Sequence, residues 1–258
     1  MRDFHALHHG AVPLLLPNAW DFASAAVLVE ARFEAVGTTS LGVAAAAGVP
    51  DGAGVTREHT VALARSLVRL PVPVTVDVEG GFGEDAEEVA DFVAYLAGLG
   101  VAGVNIEDGR PGGVLVEAER HAAVVSAVKR RSPDLFVNAR TDGFWCGVED
   151  PLESGLERAA RYVRAGADGV FVPGAVTAAD VAALVAGVAA PLNVLFSPEG
   201  PDVAELTGLG VARVSTGSLL FRSALRAVVG TATAVRDGGA VVGAPGYGEV
   251  QDLVAGLG

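Results

Sequence analysis

Short runs of β-branched or aliphatic residues alternate along the chain with longer segments in which Ala, Leu and Val recur at helical spacing between charged positions. That alternation is the signature of an α/β fold. Strand-like runs cover 12–16, 35–39, 72–76, 101–106, 135–139, 169–172, 191–195 and 211–215. Helix-like stretches fill the intervals at 20–31, 56–70, 85–99, 117–131, 151–165, 177–188, 201–209 and 218–237. Local signals mark several ends. Thr56 and Thr177 stand at N-cap positions, Thr177 with Asp180 three residues on. Gly100, Gly166 and Gly210 each sit where a helix hands over to the next strand, as left-handed C-caps do. Eight strand–helix units in 258 residues predict a single (β/α)8 TIM barrel over 1–258. A doubly wound sheet commonly has fewer strands. The segment 238–258 reads as loop and then weak helix, and is expected to pack on a neighbouring subunit.

Composition narrows the partners. A hydrophobic content of 51% is ample for a large core, and a net charge of −13 with only 18 Lys and Arg argues against nucleic-acid or anionic-membrane surfaces, which need a basic footprint. A small-molecule partner is expected. The single cysteine, Cys146, excludes an internal disulfide and a thiolate zinc site and suits a reducing cytoplasm. Its simplest reading is a small buried hydrophobe. The opening Met1-Arg2-Asp3-Phe4-His5 is polar and Leu14-Leu15-Leu16 is too short for a leader's apolar core. The weakly polar run 181–196 is interrupted by Pro191 and too short to span a bilayer. His5, His8 and His9, before the first strand, read as part of a surface helix.

Against this background Thr75-Val76-Asp77-Val78-Glu79-Gly80-Gly81-Phe82-Gly83 is unusual. A buried strand ends in two carboxylates two residues apart, followed by a glycine-rich turn. Side chains at i and i+2 of a strand project together, and two like charges there repel unless a cation or proton lies between them. A hard divalent cation with oxygen ligands, magnesium or alternatively manganese, is one explanation; a helix cap and a solvated acid is the other. Barrel enzymes collect function at the C-terminal ends of their strands. The polar residues at those ends are Asn18, Trp20 and Asp21, then Ser40, then Asp77 and Glu79, then Glu107 and Asp108, then Arg140 and Asp142, with Asn193 inside the seventh run and Ser215 and Thr216 after the eighth. Asp21 and Thr216 serve equally well as helix caps.

Asp51, Asp77, Glu79 and Glu107 around one Arg140 describe a metal site beside an anion clamp. Such a cation can polarise the carbonyl of a 2-oxo acid and stabilise the enolate left when the adjacent bond breaks. Arg140 would grip a carboxylate or phosphoryl group with paired donors, or else form a structural ion pair with Asp142 or Glu107. Ser40-Leu41-Gly42 offers a hydroxyl and successive N–H groups to the same anion.

These residues resemble the isocitrate lyase/phosphoenolpyruvate mutase superfamily. The resemblance runs from about Pro17 to Ser218 and rests on Pro17-Asn18-Ala19-Trp20-Asp21, Thr39-Ser40-Leu41-Gly42-Val43 with Gly48-Val49-Pro50-Asp51, the Asp77–Gly83 stretch, Gly100 to Asp108, Ala139-Arg140-Thr141-Asp142 and Ala165-Gly166-Ala167-Asp168. It implies a barrel, usually a tetramer with exchanged C-terminal helices, binding Mg2+ and a small 2-oxo acid or its enolate. By position Asp77 resembles the direct metal ligand, and Asp51, Glu79 and Glu107 resemble acids that hold the ion through water. Trp20, Ser40, Leu41, Gly42, Asp77, Arg140 and Asn193 are the expected substrate contacts, with Arg140, Ser40 and Glu107 as catalytic candidates.

Two departures stand out. Family lyases carry a Lys-Lys/Arg-Cys-Gly-His loop after the position of Asp108, and this chain has Gly109-Arg110-Pro111-Gly112-Gly113-Val114-Leu115-Val116 there, without Cys or His. The usual Asp-x-Asp is Asp77-Val78-Glu79. Isocitrate or methylisocitrate lyase activity is therefore not expected. The leading expectation is a Mg2+-dependent enzyme, as a cytoplasmic homo-oligomer (tetramer or dimer), that makes or breaks a C–C or P–C bond beside the carbonyl of a small 2-oxo acid. The alternatives are a non-catalytic 2-oxo-acid-binding barrel and, more weakly, a sugar-phosphate barrel enzyme, for which Ser215-Thr216-Gly217-Ser218 is half of a phosphate cup.

Overall fold

The computed structural model describes residues 3–256 except Glu84 and Val242; Met1, Arg2, Leu257 and Gly258, which belong to the terminal readings above, lie outside the described residues. In chain order the strands are β1 (Leu14–Leu16), β2 (Asn18–Ala19), β3 (Val36–Thr38), β4 (Val74–Asp77), β5 (Gly103–Glu107), β6 (Gly109–Arg110), β7 (Val114–Leu115), β8 (Phe136–Arg140), β9 (Gly169–Val172), β10 (Leu192–Leu195) and β11 (Arg213–Ser215). The helices are α1 (Phe22–Glu30), α2 (Ser40–Ala47), α3 (Arg57–Leu67), α4 (Ala86–Leu99), α5 (Ala118–Arg131), α6 (Gly143–Cys146), α7 (Pro151–Arg164), α8 (Ala178–Gly187), α9 (Val203–Leu209), α10 (Leu219–Asp237) and α11 (Tyr247–Gly256).

Nine strands pair in parallel in the order β1, β11, β10, β9, β8, β5, β4, β3, β2. β1 and β2 are two halves of the first strand, separated by Pro17. The first half pairs with β11 and the second with β3, so the chain itself completes the ring. Proline has no N–H to donate, which makes it the natural residue where a strand changes partner. Asn18 stitches the seam: its Nδ2 donates to the Thr38 carbonyl at 2.7 Å and its Oδ1 accepts from the Gly217 N–H at 2.8 Å. The eight expected strands are thus the barrel, and the additional elements are α2, α6 and the β6–β7 hairpin, all above the C-terminal strand ends.

The core is built by a two-residue period. Val74, Val76, Val104, Ile106, Val137, Ala139, Val170, Val172, Val194 and Val214 are all buried and join clusters with the surrounding helices. Each such side chain contributes roughly 1.5–3 kcal/mol when fully buried. The residues between them, Thr75, Asp77, Asn105, Glu107, Asn138, Arg140, Phe171, Asn193, Arg213 and Ser215, must then face the barrel interior. Arg213 is fully buried, and its Nη2 donates at 3.3 Å to Asn105 Oδ1 on the strand across the barrel, while its Nε donates at 3.1 Å to Ser215 Oγ. Asn138 Nδ2 donates to the same Asn105 oxygen at 2.9 Å.

The opposite end is plugged by the N-terminus. The expected surface helix is instead a single 3-10 turn, Ala6–His9, with His8 buried. The His8 ring stacks on Phe136 with centroids 4.0 Å apart, and Phe4 meets Phe136 edge-on. Apolar rings closing the barrel floor explain why this histidine is inside. The caps behave as the chain chemistry dictates: Asp21 is the N-cap of α1 in a reciprocal box with Ser24, and Thr177 caps α8 through the Asp180 N–H. Thr56 makes no cap bond, because its hydroxyl is used elsewhere.

Burial holds two histidines neutral. Burial, reinforced by the Arg213 charge, pulls the pKa of His8 down to about 3, and burial pulls that of His121 down to about 4 against the opposing pull of Asp108. An unfolded chain takes up these protons near pH 6.5, so the stabilisation is complete above that pH and is lost as the pH falls toward the folded values. For His121 the full loss is on the order of 3 kcal/mol. Glu107, whose pKa burial raises to about 8, works in the opposite sense over the same range, so the histidine contribution is read as a difference: from pH 7 to pH 5 the unfolding free energy of the native protein, measured by denaturant titration, is expected to change less favourably than that of His121→Phe. An equal change in both proteins would contradict this assignment.

Candidate active site

A cavity of about 450 Å3 opens at the C-terminal ends of the strands. Asp77 from β4, Glu107 from β5 and Arg140 from β8 reach it as the last inward residues of their strands, and Asp51, Ser40, Leu41, Asn105, Asp142, Trp145, Cys146 and Phe171 complete much of its wall. Five strand ends of one parallel sheet, those of β3, β4, β5, β8 and β9, thus bring together residues far apart in sequence.

Arg140 is its organising cation. Its Nη1 lies 2.8 Å from Glu107 Oε2 and its Nε 2.7 Å from Asp142 Oδ1. Its guanidinium also stacks over Phe171 at 5.6 Å. Asp142 is held in turn from behind. Its N–H donates at 2.8 Å to Oδ1 of Asp108, a fully buried carboxylate whose Oδ2 accepts from Arg158 Nη1 at 2.9 Å and Tyr162 OH at 2.6 Å. A buried acid is tolerated because both of its oxygens are hydrogen-bonded, one of them to a cation. Gly109 is required beside it, since a Cβ there would strike the Asp142 carboxylate.

Acid exceeds base in this pocket, and burial together with neighbouring charge moves the proton affinity of three of its carboxyl groups upward. Burial pushes the Glu107 carboxyl up to about 8; Arg140 pulls it down, and Asp77, Asp142 and Asp51 push it up again. Asp51 is raised by burial and by Asp77, with a Ser40 hydrogen bond and Arg140 opposing. Burial likewise raises Asp142 against the pull of Arg140. Burial disfavours the charge on Arg140, but Glu107, Asp142 and Asp77 outweigh it and keep the guanidinium protonated. Unmet negative potential among oxygen donors is what a hard divalent cation satisfies. Among the described residues no three His, Cys, Asp or Glu side chains stand close enough to enclose a metal by themselves, so the donor set fits an ion that keeps several of its waters.

Other expected site residues lie elsewhere. Glu79 is not a cavity wall. β4 ends at Asp77, and Glu79 adopts a left-handed φ of 49°, which removes the i, i+2 relation assumed for a continuous strand. Its carboxylate accepts from the Thr56 hydroxyl and from the Gly54 N–H at 3.0 Å, so it ties down the loop that carries Asp51. Trp20 and Gly42 also lie behind the wall. Trp20 packs edge-on against Phe221 at 5.2 Å, and a Cβ on Gly42 would come within 2.8 Å of Trp20 Cβ; the glycine lets α2 approach. Ser40 and Leu41 open α2, where the first N–H groups have no partner within the helix. Asn193 is buried beneath the cavity, its Oδ1 accepting from Ser215 Oγ at 3.1 Å and its Nδ2 without a partner. Asn105, Asn138 and Arg213 escaped notice as site or supporting residues, and Asp108, expected at the rim, is instead the buried anchor of Asp142. The available signal was a polar residue at every second position of a β-branched run, as in Val104-Asn105-Ile106-Glu107.

Relatives of the chain are found along most of its length. The phosphoenolpyruvate phosphomutase family model matches residues 4–236. The chain is 44% identical over 249 residues to the uncharacterized protein Rv1998c of Mycobacterium tuberculosis, covering 96% of this chain and 95% of that protein. It is 31% identical over 251 residues to a 2-methylisocitrate lyase of Halalkalibacterium halodurans, covering 93% and 77%. Its structure superposes on that of phosphoenolpyruvate phosphomutase from Streptomyces platensis subsp. rosaceus with a TM-score of 0.87 at 25% identity, covering 98% of this chain and 94% of the other. The chain therefore belongs to the phosphoenolpyruvate phosphomutase family, within the isocitrate lyase/phosphoenolpyruvate mutase superfamily of lyases and mutases.

Proposed function

We propose that the protein is a Mg2+-dependent enzyme that makes or breaks a C–C or P–C bond beside the carbonyl of a small 2-oxo acid, through an enolate. The observation that carries this reading is the convergence of Asp51, Asp77, Glu107 and Arg140 on one cavity of about 450 Å3. Asp77 would hold the ion directly, with Asp51 and Glu107 acting through water, and Mn2+ would substitute. When bound, the ion supplies positive charge to the oxygens of the substrate on which negative charge develops.

The chain's own groups supply the rest. Arg140 has N–H groups left after Glu107 and Asp142 are served, and it offers them to the substrate carboxylate as charge-assisted donors. The unpaired N–H groups opening α2, with the Ser40 hydroxyl, take a second face of the same anion. Asp142 and Phe171 fix the guanidinium plane, so little ordering remains when ligand arrives. Glu79 keeps the Asp51 loop in place through Thr56 and Gly54.

Among the described residues no helix is long and apolar enough to cross a membrane, and with the acidic charge balance this supports a cytoplasmic setting with no nucleic-acid or membrane partner. α10 leaves Leu225, Val228, Val229 and Val235 exposed, an apolar face that supports a homo-oligomer, dimer or tetramer.

Oxalate has the charge and shape of a pyruvate enolate. Calorimetric titration is expected to show oxalate binding that requires Mg2+. Asp77→Ala should abolish the Mg2+ requirement together with tight binding. Absence of Mg2+-dependent oxalate binding to the native protein would overturn the proposal. Arg140→Lys, which keeps the charge but loses the paired planar donors, is expected to weaken oxalate by about tenfold to a hundredfold, equivalent to one or two charge-assisted hydrogen bonds; affinity within a factor of about two of native would remove Arg140 from the anion grip.

A further inference from the structure

The cavity holds more than a pyruvate enolate requires, and its excess wall has a definite chemical character. Beyond the carboxylates and Arg140, it is lined by Phe171, Pro173, Leu195, Trp145 and Pro111. Trp145 is 63% exposed, so a large indole face stands at the mouth with water as its neighbour. An apolar wall of this kind gains by covering an apolar ligand surface.

Charge points the same way. Four carboxylates line the cavity, against Arg140 and Arg110. Arg110 lines the mouth with its guanidinium already engaged: its Nη1 donates to the carbonyls of Glu107 at 3.1 Å and Gly109 at 2.6 Å, and the group lies against Gly80, where a Cβ would come within 2.5 Å of it. From there it borders a separate groove with Val89, Val116 and His121. Among the lining cations Arg140 ends between the carboxylates, already shared between Glu107 and Asp142, while Arg213 lies beneath the cavity wall, bonded to Asn105 and Ser215. A divalent cation and Arg140 together match one substrate carboxylate. A second anionic group, such as a phosphonate or another carboxylate, would meet Asp142 and Glu107 and find no lining cation free of existing partners.

We infer, resting on the 2-oxo-acid reading above, that the substrate carries a single carboxylate and a neutral apolar group beyond its pyruvoyl part, so that the bond acted on is C–C and not C–P. An enolate-forming cleavage that leaves a neutral organic fragment is an aldol cleavage of a 4-hydroxy-2-oxo acid. The C3–C4 electron pair passes into the pyruvate enolate while the hydroxyl O–H pair becomes the new carbonyl bond. The hydroxyl proton is balanced by the one that C3 gains as the enolate becomes pyruvate. Substrate and products have the same atoms, and no co-reactant is needed. The apolar chain rests on Trp145, Phe171 and Leu195.

The test measures pyruvate release by native protein with Mg2+ from 4-hydroxy-2-oxo acids of increasing alkyl length and from phosphonopyruvate, beside calorimetric oxalate binding. The expected result is kcat/KM that rises by about threefold to fourfold for each added methylene, phosphonopyruvate below every member of the series, and a flattened length dependence in Trp145→Ala. If oxalate binds but phosphonopyruvate is the better substrate, with the preference lost in Arg110→Ala, the inference is overturned and Arg110 turns inward. No cleavage of any 4-hydroxy-2-oxo acid, or no length dependence, overturns it as well. Failure of oxalate itself to bind would instead count against the 2-oxo-acid reading on which it rests.

Discussion

A closed barrel with valines outside has nowhere to put its alternate residues except inside, and in this chain those residues are polar. Removing amides, hydroxyls and a guanidinium from water costs several kcal/mol unless each finds a partner. Arg213 meets most of that requirement for its layer. It crosses the barrel from β11 to Asn105 on the opposite strand and holds Ser215 on its own; Asn105 then also takes Asn138, and Ser215 reaches Asn193. Burial lowers the Arg213 pKa to about 9, with Asp77 pulling it the other way, so the cation persists at neutral pH beneath the acidic rim. The orientation of the polar floor and the charge beneath the cavity thus have one origin.

The rim repeats the same logic with the opposite sign. Asp51, Asp77, Glu107 and Asp142 outnumber the guanidinium at the rim, and burial, with neighbouring carboxylates adding to it, raises the pKa values of Asp51, Glu107 and Asp142. Supporting groups keep the acids from relaxing away from one another: Asp108 anchors Asp142, and Thr38 Oγ1 accepts from the Asp77 N–H at 2.9 Å. A site so arranged stores electrostatic strain, and a ligand carrying positive charge relieves it. The β6–β7 hairpin, which carries no Cys or His, forms part of the mouth together with Trp145 and Cys146 on α6.

Much of this was legible in the sequence because it follows from short-range periodicity. β-branched runs located all eight strand positions, glycines at 100, 166 and 210 marked helix ends with positive φ, and polar residues at strand ends named Asp77, Glu107 and Arg140. What was not legible depended on tertiary closure. Glu79 looked like a partner of Asp77 because a strand was assumed to continue, whereas the chain turns left-handed there and sends the carboxylate to Thr56. Asn193 and Trp20 sit one layer away from the cavity, a distance that strand-end position alone does not resolve. His8 looked exposed because nothing local reveals that Phe136, more than a hundred residues on, waits at the barrel floor. Arg213 was hidden in plain view, since a charged residue inside a strand gains meaning only when the strand opposite is known. The short α2 and α6 follow strands so closely that their few residues gave too little period to detect.

A cation at the acidic end of the barrel, beside Arg140, is the central requirement of this chemistry. Crystals grown with Mn2+ and oxalate, measured at the manganese absorption edge, place that ion without reference to any assumed ligand. The predicted anomalous peak lies next to Asp77, with oxalate between the ion and Arg140 and the Arg140–Asp142 contact intact. A peak elsewhere on the molecule, or oxalate bound at this rim with no ion beside Asp77, would contradict it.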